Sequence, residues 1–249
     1  MRSRRRAHRS TPRLRDPVDP EHCEKPQLLM LNLQVFEEGR MAHCALVGAA
    51  DFNADHFKFQ MEGGFFDFVI AVDGGFAHLE SIGVVPDMAV GDFDSLGYVP
   101  KCRRVSRHPV KKDKTDMELA MEKALYWKQD DLYVYGGLSG RLDHTLANLQ
   151  LFAKFSERGA YVTGIGEDFA VRALTGPDVY DLPPLDEGVV SVVAANDRVE
   201  GVIETGLLYS MDDEPLTSRV SRGISNEFIG QPATIGVAQG TVLIFHPLP

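Results

Sequence analysis

The sequence predicts an α/β Rossmann-like N-terminal domain with a parallel sheet, followed by a small all-β sandwich domain. In the first half of the chain, short apolar strands alternate with helical segments, which is the pattern of a parallel sheet with helices on its faces. After about Pro177, short strand-like runs follow one another between turn residues, as in a small sandwich. A chain of 249 residues is long enough for both. We therefore predict an extension over 1–40, an α/β domain over 41–176 and a β-sandwich domain over 177–249.

The first 40 residues differ in composition from the rest of the chain. They are rich in Arg and Pro, carry a net charge of +3 and show no sustained hydrophobic period, which predicts disorder. A transit peptide and a basic tail that contacts RNA are both open interpretations. A third is that translation starts at Met30 or Met41, and the strand that follows favours Met41.

The charge and cysteine content exclude several classes of protein. The whole chain has a net charge of −10, so residues 41–249 carry −13, and a body this acidic is not expected to bind nucleic acid. No apolar run approaches the ~20 residues that cross a bilayer, so no membrane association is expected. Cys23, Cys44 and Cys102 form no CxxC pair and are interpreted as free thiols. Free thiols are typical of a reducing compartment, and we predict a cytoplasmic protein.

The elements of the α/β region follow from its hydrophobic pattern. Apolar runs of four or five residues predict buried strands, and the segments between them have helical spacing. In order, these elements are a strand at 44–47, a helix through Phe57 and Met61, a strand at 68–72, a helix from Gly74 through Leu79, and a strand at 87–90.

Two later helices have clearer start and stop signals. Thr115 and Glu118 form a capping box, in which each side chain reaches the backbone amide of the other. In the second helix, Asp143 is the predicted N-cap and Gly159 the stop. The apolar faces predicted to pack in the core are Met117, Ala120, Met121, Ala124 and Leu125 in the first helix, and Leu146, Leu149, Phe152 and Ala153 in the second.

The predicted sandwich consists of strands without intervening helices. Pro177, Pro183 and Pro184 mark the boundary region. Four apolar runs rich in β-branched residues predict its strands at 189–193, 199–203, 233–235 and 241–245.

Carboxylates follow two of the predicted strands directly. Asp73 follows the strand at 68–72, and Asp92 and Asp94 follow the strand at 87–90 at alternate positions. Alternate residues of an extended chain point the same way, and Mg²⁺ prefers such oxygen ligands in sites that also hold phosphates. A helix cap or a turn would explain any one of these acids equally well. Together they predict a metal site.

Two further segments have features of a phosphate site. Lys111, Lys112 and Lys114 precede the helix that begins after Thr115, where ammonium groups and free backbone amides suit phosphate oxygens. The segment 135–144 contains three glycines and Arg141, which allow close backbone approach and bidentate phosphate binding. A solvated charged loop and a tight turn are the simpler interpretations of these segments. Neither a GxxxxGK[ST] nor a GxGxxG sequence occurs.

In this order, the motifs resemble those of the thiamine pyrophosphokinase family, over roughly residues 43–246. The matching segments are 71–75 (AVDGG), 86–87 with 91–95 (GDFDS), 112–120 (KDKTD with ELA), 140–148 (GRLDHTLAN) and 221–228 (SRGISNEF). The resemblance implies a transferase that moves the diphosphate of ATP to the thiamine hydroxyl and releases AMP. It also implies an ATP- and Mg²⁺-binding catalytic domain, a thiamine-binding β domain, and a homodimer with the thiamine site at the subunit interface.

The resemblance implies a role for each matching residue. Asp73, Asp92 and Asp94 correspond to the metal ligands, and with Asp116 they form the catalytic set. Ser225 and Asn226 correspond to the thiamine contacts. The residues that correspond to the ATP-binding positions are Lys112, Asp113, Lys114, Thr115, Gly137, Arg141, Asp143 and His144.

The sequence leaves several points open. The proton of the thiamine hydroxyl is expected to pass to Asp73, Asp94 or Asp116. One alternative function is a diphosphokinase for another alcohol, such as a hydroxymethylpterin. Another is a non-catalytic sensor that binds nucleotide or thiamine.

Overall fold

The computed structural model describes residues 42–248, so the predicted extension over 1–40 lies outside the described residues. It has helices at all four predicted places. They are α1 (Ala54–Glu62), α2 (Gly75–Ser81), α3 (Asp116–Tyr126) and α4 (Leu142–Ser156). Within the described range, no helix is long and apolar enough to cross a membrane.

Fourteen strands lie in the described part of the chain, more than the hydrophobic pattern predicted. In chain order they are β1 (His43–Val47), β2 (Phe68–Val72), β3 (Met88–Gly91), β4 (Arg104–Arg107), β5 (Asp131–Tyr135), β6 (Tyr161–Ile165), β7 (Phe169–Thr175), β8 (Asp178–Leu182), β9 (Val189–Ala194), β10 (Arg198–Thr205), β11 (Met211–Thr217), β12 (Asn226–Glu227), β13 (Ala233–Val237) and β14 (Thr241–Pro247).

The strands form two sheets. A ten-stranded mixed sheet has the order β12-β9-β14-β7-β6-β5-β1-β2-β3-β4, and a four-stranded sheet has the order β11-β10-β13-β8. Strands β6, β5, β1, β2, β3 and β4 are parallel, which confirms the predicted parallel sheet. The four strands at the other end of the large sheet are antiparallel. The smaller sheet is antiparallel throughout.

The large sheet continues past the predicted domain boundary. Strand β14 pairs with β7 on one side and with β9 on the other, so the last strand of the chain joins the two halves. The division at 176/177 stays a prediction. Because of this pairing, the sandwich shares hydrogen bonds with the sheet that carries the acidic residues.

Side chains of the parallel strands alternate between two cores. On one face, Leu46 and Ile70 pack with residues of α3 and α4 such as Met121 and Phe152. On the other face, Val47 and its neighbours pack with residues of α1 and α2. A third core fills the sandwich. Because both faces of the parallel sheet are covered, the strand ends are where a polar ligand has room to bind.

Three details of the predicted helices differ in the structure. Arg141, not Asp143, is the N-cap of α4, and Asp143 lies in the first turn. Leu146 is 57% exposed, so it does not belong to the core face predicted for it. In α3, Thr115 accepts from the amide of Glu118 at 3.2 Å as predicted. The Glu118 carboxylate, however, accepts from Lys154 at 2.6 Å, because α4 brings that ammonium group beside it.

Candidate active site

Three carboxylates meet at the carboxyl ends of β2 and β3. Asp73 follows β2, and Asp92 and Asp94 follow β3, which pairs with β2 in parallel. One carboxylate oxygen from each residue lies within 4.8 Å of the others. Three hard oxygen ligands at this spacing suit a divalent cation such as Mg²⁺. The structure therefore brings together all three predicted metal ligands.

The backbone around these acids has unusual φ angles, and the loops that carry them make close contacts with each other. Asp73 and Phe93 have φ angles of 47° and 63°, a region that residues other than glycine adopt rarely. The Phe93 amide and the Ser95 hydroxyl donate to the two oxygens of Asp73 at 3.1 and 3.2 Å. A Cβ atom on Gly91 would lie 2.9 Å from the Cα of Asp73. Glycine at this position therefore allows the β2 and β3 ends to approach closely enough for the acids to meet.

Lys112 joins the acidic cluster to helix α3. Its Nζ lies 2.9 Å from Asp92 Oδ2 and 3.0 Å from Asp116 Oδ1, and all three side chains are largely buried. The hydrogen bond from Lys112 lowers the pKa of Asp92. Burial raises the pKa of Asp116, and the nearby Asp73 and Asp92 carboxylates raise it further. The Lys112 ammonium lowers it but does not outweigh burial. Burial alone would lower the pKa of Lys112, but its two carboxylate partners together outweigh burial and raise it.

A cavity of about 440 Å³ extends from this cluster along the strand ends. Its walls include Gly48 after β1, Gly136 and Gly137 after β5, and the start of α3. The predicted site residues that line it are Asp73, Asp92, Lys112, Asp113, Lys114, Thr115, Asp116, Gly137 and His144. Asp94 instead lines an adjacent cavity of about 410 Å³, which it shares with Asp92.

The glycines of this cavity are required by close backbone contacts. Gly136 has a φ of 61°, and a Cβ atom there would lie 2.4 Å from the Gly48 oxygen. The buried Asn148 side chain donates to the Gly137 oxygen at 2.8 Å and fixes the loop against α4. The result is a closely packed wall of backbone at the strand ends in which all three glycines are buried, an approach that only residues without a side chain allow.

Arg141 and Asp143 are not among the residues that line the cavity. They form an exposed ion pair, with Arg141 Nη2 2.5 Å from Asp143 Oδ2. The Arg141 guanidinium lowers the pKa of Asp143 to about 2. Their predicted role in ATP binding stays a prediction, and it would require Arg141 to exchange this partner for a phosphate.

Ser225 and Asn226 lie in the β region and do not line the cavity of their own chain. Ser225 is exposed, with a φ of 60°, and its amide donates to Ser191 Oγ at 3.0 Å. Asn226 is only 4% exposed. Its Nδ2 donates to Glu204 and to the Tyr209 oxygen, and its Oδ1 accepts from the amides of Tyr209 and Glu227. Every hydrogen-bonding position of the Asn226 side chain is thus used within the protein.

Large apolar side chains are exposed beside this segment. Leu208 and Tyr209, held by hydrogen bonds to residues 226 and 227, are 49% and 65% exposed. Ile224 and Ile229, on either side of the same segment, are 48% and 46% exposed. We call these four residues the apolar patch. Exposed apolar groupings are more common at protein–protein contact sites than on the rest of a protein surface.

Sequence reasoning missed two contributors to these sites. Gly48 directly follows a buried strand, and its position after Val47 was the available signal for a strand-end loop. Glu204 gave no signal, because an acid within a strand is normally exposed, whereas this side chain is 1% exposed.

Comparison with known proteins adds independent observations. The family model described as "Thiamin pyrophosphokinase, catalytic domain" matches residues 65–163, and "Thiamin pyrophosphokinase, vitamin B1 binding domain" matches residues 181–242. Thiamine pyrophosphokinase of Bacillus subtilis is 29% identical over 186 residues, which is 71% of this chain and 86% of that protein.

Solved structures of similar proteins share the fold. The thiamine pyrophosphokinase structure from Geobacillus thermodenitrificans has a TM-score of 0.68 at 25% identity, covering 83% of this chain and 98% of its own. The Bacillus subtilis structure has a TM-score of 0.71 at 24% identity, covering 82% and 98%. The Candida albicans structure has a TM-score of 0.69 at 13% identity, covering 84% and 89%, which shows the fold alone.

Proposed function

Because this chain belongs to the thiamine pyrophosphokinase family, we propose that it transfers the diphosphate of ATP to the hydroxyl of thiamine. The products are thiamine diphosphate and AMP. One observation carries this proposal. The carboxylates of Asp73, Asp92 and Asp94 form a cluster, and the Lys112 ion pairs join it to α3 beside a cavity with glycine walls. The two alternative functions have no support, since both matching family models describe thiamin pyrophosphokinase domains.

We propose that Asp73, Asp92 and Asp94 hold Mg²⁺. ATP is strongly anionic, so a cluster of acids would repel it without a cation. Held by these three residues, the ion would supply positive charge that offsets the carboxylates and the phosphates. The hydrogen bonds from Phe93 and Ser95 keep the Asp73 carboxylate aimed at this position before any ligand arrives. The cofactor assignment rests on this donor set.

The chain's own groups would then position ATP. The Lys112 ammonium neutralises Asp92 and Asp116 in the free protein, and on binding it offsets charge on the transferred phosphates. The backbone at Gly136 and Gly137 and the start of α3 receive the remaining phosphate oxygens. Lys114, Thr115 and His144 line the same cavity. The strand-end crevice fits the Rossmann-like interpretation of this domain, which we retain as part of the proposal.

The transfer is an in-line displacement at phosphorus. The thiamine hydroxyl oxygen bonds to the β-phosphorus as the bond from that atom to the oxygen bridging the α-phosphate breaks, and AMP leaves with that oxygen. The hydroxyl proton passes to Asp73, Asp94 or Asp116. Positioning and electrostatic stabilisation supply most of the acceleration.

Thiamine would bind between two copies of the chain. Within one chain, neither Ser225 nor Asn226 lines the cavity of the acidic cluster, which supports a site that a second subunit completes. The apolar patch beside Ser225 supplies a surface for such a homodimer. We propose that Ser225 contacts thiamine directly and that Asn226 acts by holding the segment. Cytoplasmic localisation stays a prediction.

The decisive experiment measures AMP formation by the purified protein. We expect AMP in the presence of Mg²⁺ and thiamine, and only the slow background of ATP hydrolysis when either is omitted. AMP release that is unaffected by thiamine would contradict the proposal. A hydroxymethylpterin offered in place of thiamine serves as the matched control for the substrate.

A further inference from the structure

A second cavity, away from the acidic cluster, lies where the α/β region meets the sandwich. It has a volume of about 170 Å³, and none of its lining residues is shared with the cavity of the acidic cluster. It is bounded by α1, by the β5 to β7 part of the large sheet, by β8 and by the end of β14. We call it the junction cavity. A cavity of about 150 Å³ holds one benzene-sized molecule, so the junction cavity has room for a single substituted ring.

The walls of the junction cavity are apolar and largely aromatic. Phe65, Tyr133 and Phe228 contribute rings, and Ile165 and Leu182 contribute aliphatic surface. Flat aromatic walls favour a flat ligand, because stacked and edge-to-face contacts add to the burial of apolar area. These rings come from three separate parts of the fold. The cavity is therefore formed by tertiary packing and not by a single local turn.

The lining carries no formal charge. Among residues 42–248, the lining contains no Asp, Glu, Lys or Arg, and its only ionisable groups besides tyrosines are His56 and His246. Burial lowers the pKa of both imidazoles, so both are neutral in the physiological range. A charged ligand would lose its hydration here without gaining an ionic partner. With no basic side chain to pair with an anion and no carboxylate to pair with a cation, the described lining favours neutral molecules.

Polar groups are present at two places on this apolar surface. At one, His56 Nδ1 lies 3.0 Å from the Tyr135 hydroxyl, and Gln60 Nε2 lies 3.4 Å from His56 Nε2. At the other, His246 Nδ1 donates to the Pro247 oxygen at 2.8 Å, so its Nε2 accepts from the Tyr180 hydroxyl at 3.2 Å. Pro247 O can only accept, which fixes this tautomer.

Gln60 is the polar group best suited to select a ligand. Its carboxamide presents a donor beside an acceptor, and Oε1 has no hydrogen-bond partner within residues 42–248. Such an edge pairs with the amino group and adjacent ring nitrogen of a heterocycle, as carboxamides pair with adenine in nucleic-acid recognition. Apolar walls with a few fixed polar groups are the usual composition of a small-molecule site.

We propose that the junction cavity binds a neutral, single-ring nitrogen heterocycle whose edge carries a donor beside an acceptor, the class to which the aminopyrimidines belong. The aromatic walls bury its faces and the Gln60 carboxamide pairs with its edge. This inference is independent of the proposed transfer reaction, since no residue of the junction cavity is assigned a role in that reaction.

The test uses the full chain and 4-aminopyrimidine as the probe, with binding followed by ligand-observed NMR and calorimetry. We expect saturable binding with Kd in the millimolar range or tighter, as for other ring-sized ligands. The binding should be unchanged when ATP and thiamine are present at saturating concentration. Benzene, which has the ring without the edge, should bind more weakly.

Two variants distinguish a site that selects the heterocycle from an apolar cavity that binds any ring of the right size. Gln60→Leu should weaken 4-aminopyrimidine by about tenfold while leaving benzene unaffected, since about one good hydrogen bond is lost. Ala170→Leu places a larger side chain in the cavity and should abolish binding of both probes. The thermal midpoint of each variant establishes that it folds. Equal binding of 4-aminopyrimidine by wild type and Gln60→Leu would overturn the proposal. Displacement by thiamine, or no binding at all, would do the same.

Discussion

The side-chain amide of Asn226 donates a hydrogen bond of 2.6 Å to the carboxylate of Glu204 inside the sandwich. Glu204 is 1% exposed, and its other oxygen, Oε1, has no hydrogen-bond partner within the described residues. A buried acid of this kind costs stability, so its presence points to a role for the segment it holds. Through Asn226 it fixes the backbone of Tyr209 and Glu227 beside Ser225, where thiamine is proposed to bind.

The Glu204 carboxyl predicts a dependence of stability on pH. Burial raises its pKa, so the folded protein binds this proton more tightly than the unfolded chain does. The contribution of Glu204 to the free energy of unfolding is therefore greatest below the ordinary Glu pKa. It declines as the pH rises towards the raised folded pKa. Denaturant unfolding of wild type and Glu204→Gln at about pH 4 and about pH 8 measures the difference. We expect Glu204→Gln to gain stability relative to wild type at the higher pH, and equal differences at both would refute this.

Replacing one metal ligand tests the acidic cluster. Asp94→Asn keeps the size of the side chain but removes a negative ligand, and we expect the rate of AMP formation to fall by about 100-fold or more. The affinity for Mn²⁺, followed by electron paramagnetic resonance with Mg²⁺ as competitor, should fall in parallel. Asp55→Asn, an exposed acid at the start of α1, is the matched control. An unchanged rate in Asp94→Asn would remove this residue from the metal site.

The Lys112 ion pairs predict a strict need for a cation at this position. In Lys112→Met, Asp92 and Asp116 face each other without the ammonium that now lies within 3.0 Å of both. We expect kcat/KM for ATP to fall by about 100-fold, because the charge that offsets the phosphates is lost. Lys112→Arg retains the charge and should recover part of the activity. Similar kinetics for Met and Arg variants would mean that the charge at position 112 is not used in the reaction.

Two glycines with similar φ angles allow the energetic cost of a close backbone contact to be separated from the cost of a positive φ angle. Gly136 and Gly140 have φ angles of 61° and 75°, but a Cβ atom meets the Gly48 oxygen at 2.4 Å only at Gly136. At Gly140 nothing lies within 4 Å. In denaturant unfolding, Gly140→Ala should cost about 1 kcal/mol and Gly136→Ala about 3 kcal/mol or more. Equal costs would show that the contact between the β1 and β5 ends relaxes freely.

The apolar patch predicts a dimer on which activity depends. Leu208→Asp places a charge among apolar side chains, and we expect the protein to elute as a monomer in size-exclusion chromatography and to lose thiamine-dependent AMP formation. Val85 is 75% exposed and lies outside the patch, so Val85→Asp is the control and should remain dimeric and active. A Leu208→Asp monomer with full activity would place the complete thiamine site within one chain.

Much of the α/β region was predictable because its signals are local. The apolar run before Asp73, the glycine and acids at 91–94 and the Thr115 cap each depend on neighbours within a few residues. Strands β9 and β14 were predicted at 189–193 and 241–245, but their place in the large sheet was not. Their pairing joins β14 to β7 and β9, segments far apart in sequence, and pairing of that kind leaves no short-range pattern.

The sequence by itself determined which residues stand at the strand ends, and with them the acids, the lysines and the glycines of the candidate site. Only the tertiary structure decided what each side chain meets. It placed Lys112 between Asp92 and Asp116, brought Gly136 against the Gly48 oxygen, and buried Asn226 against Glu204. The physical reason is that a side chain's burial and partners depend on which strands become neighbours in the sheet, and long-range packing decides that.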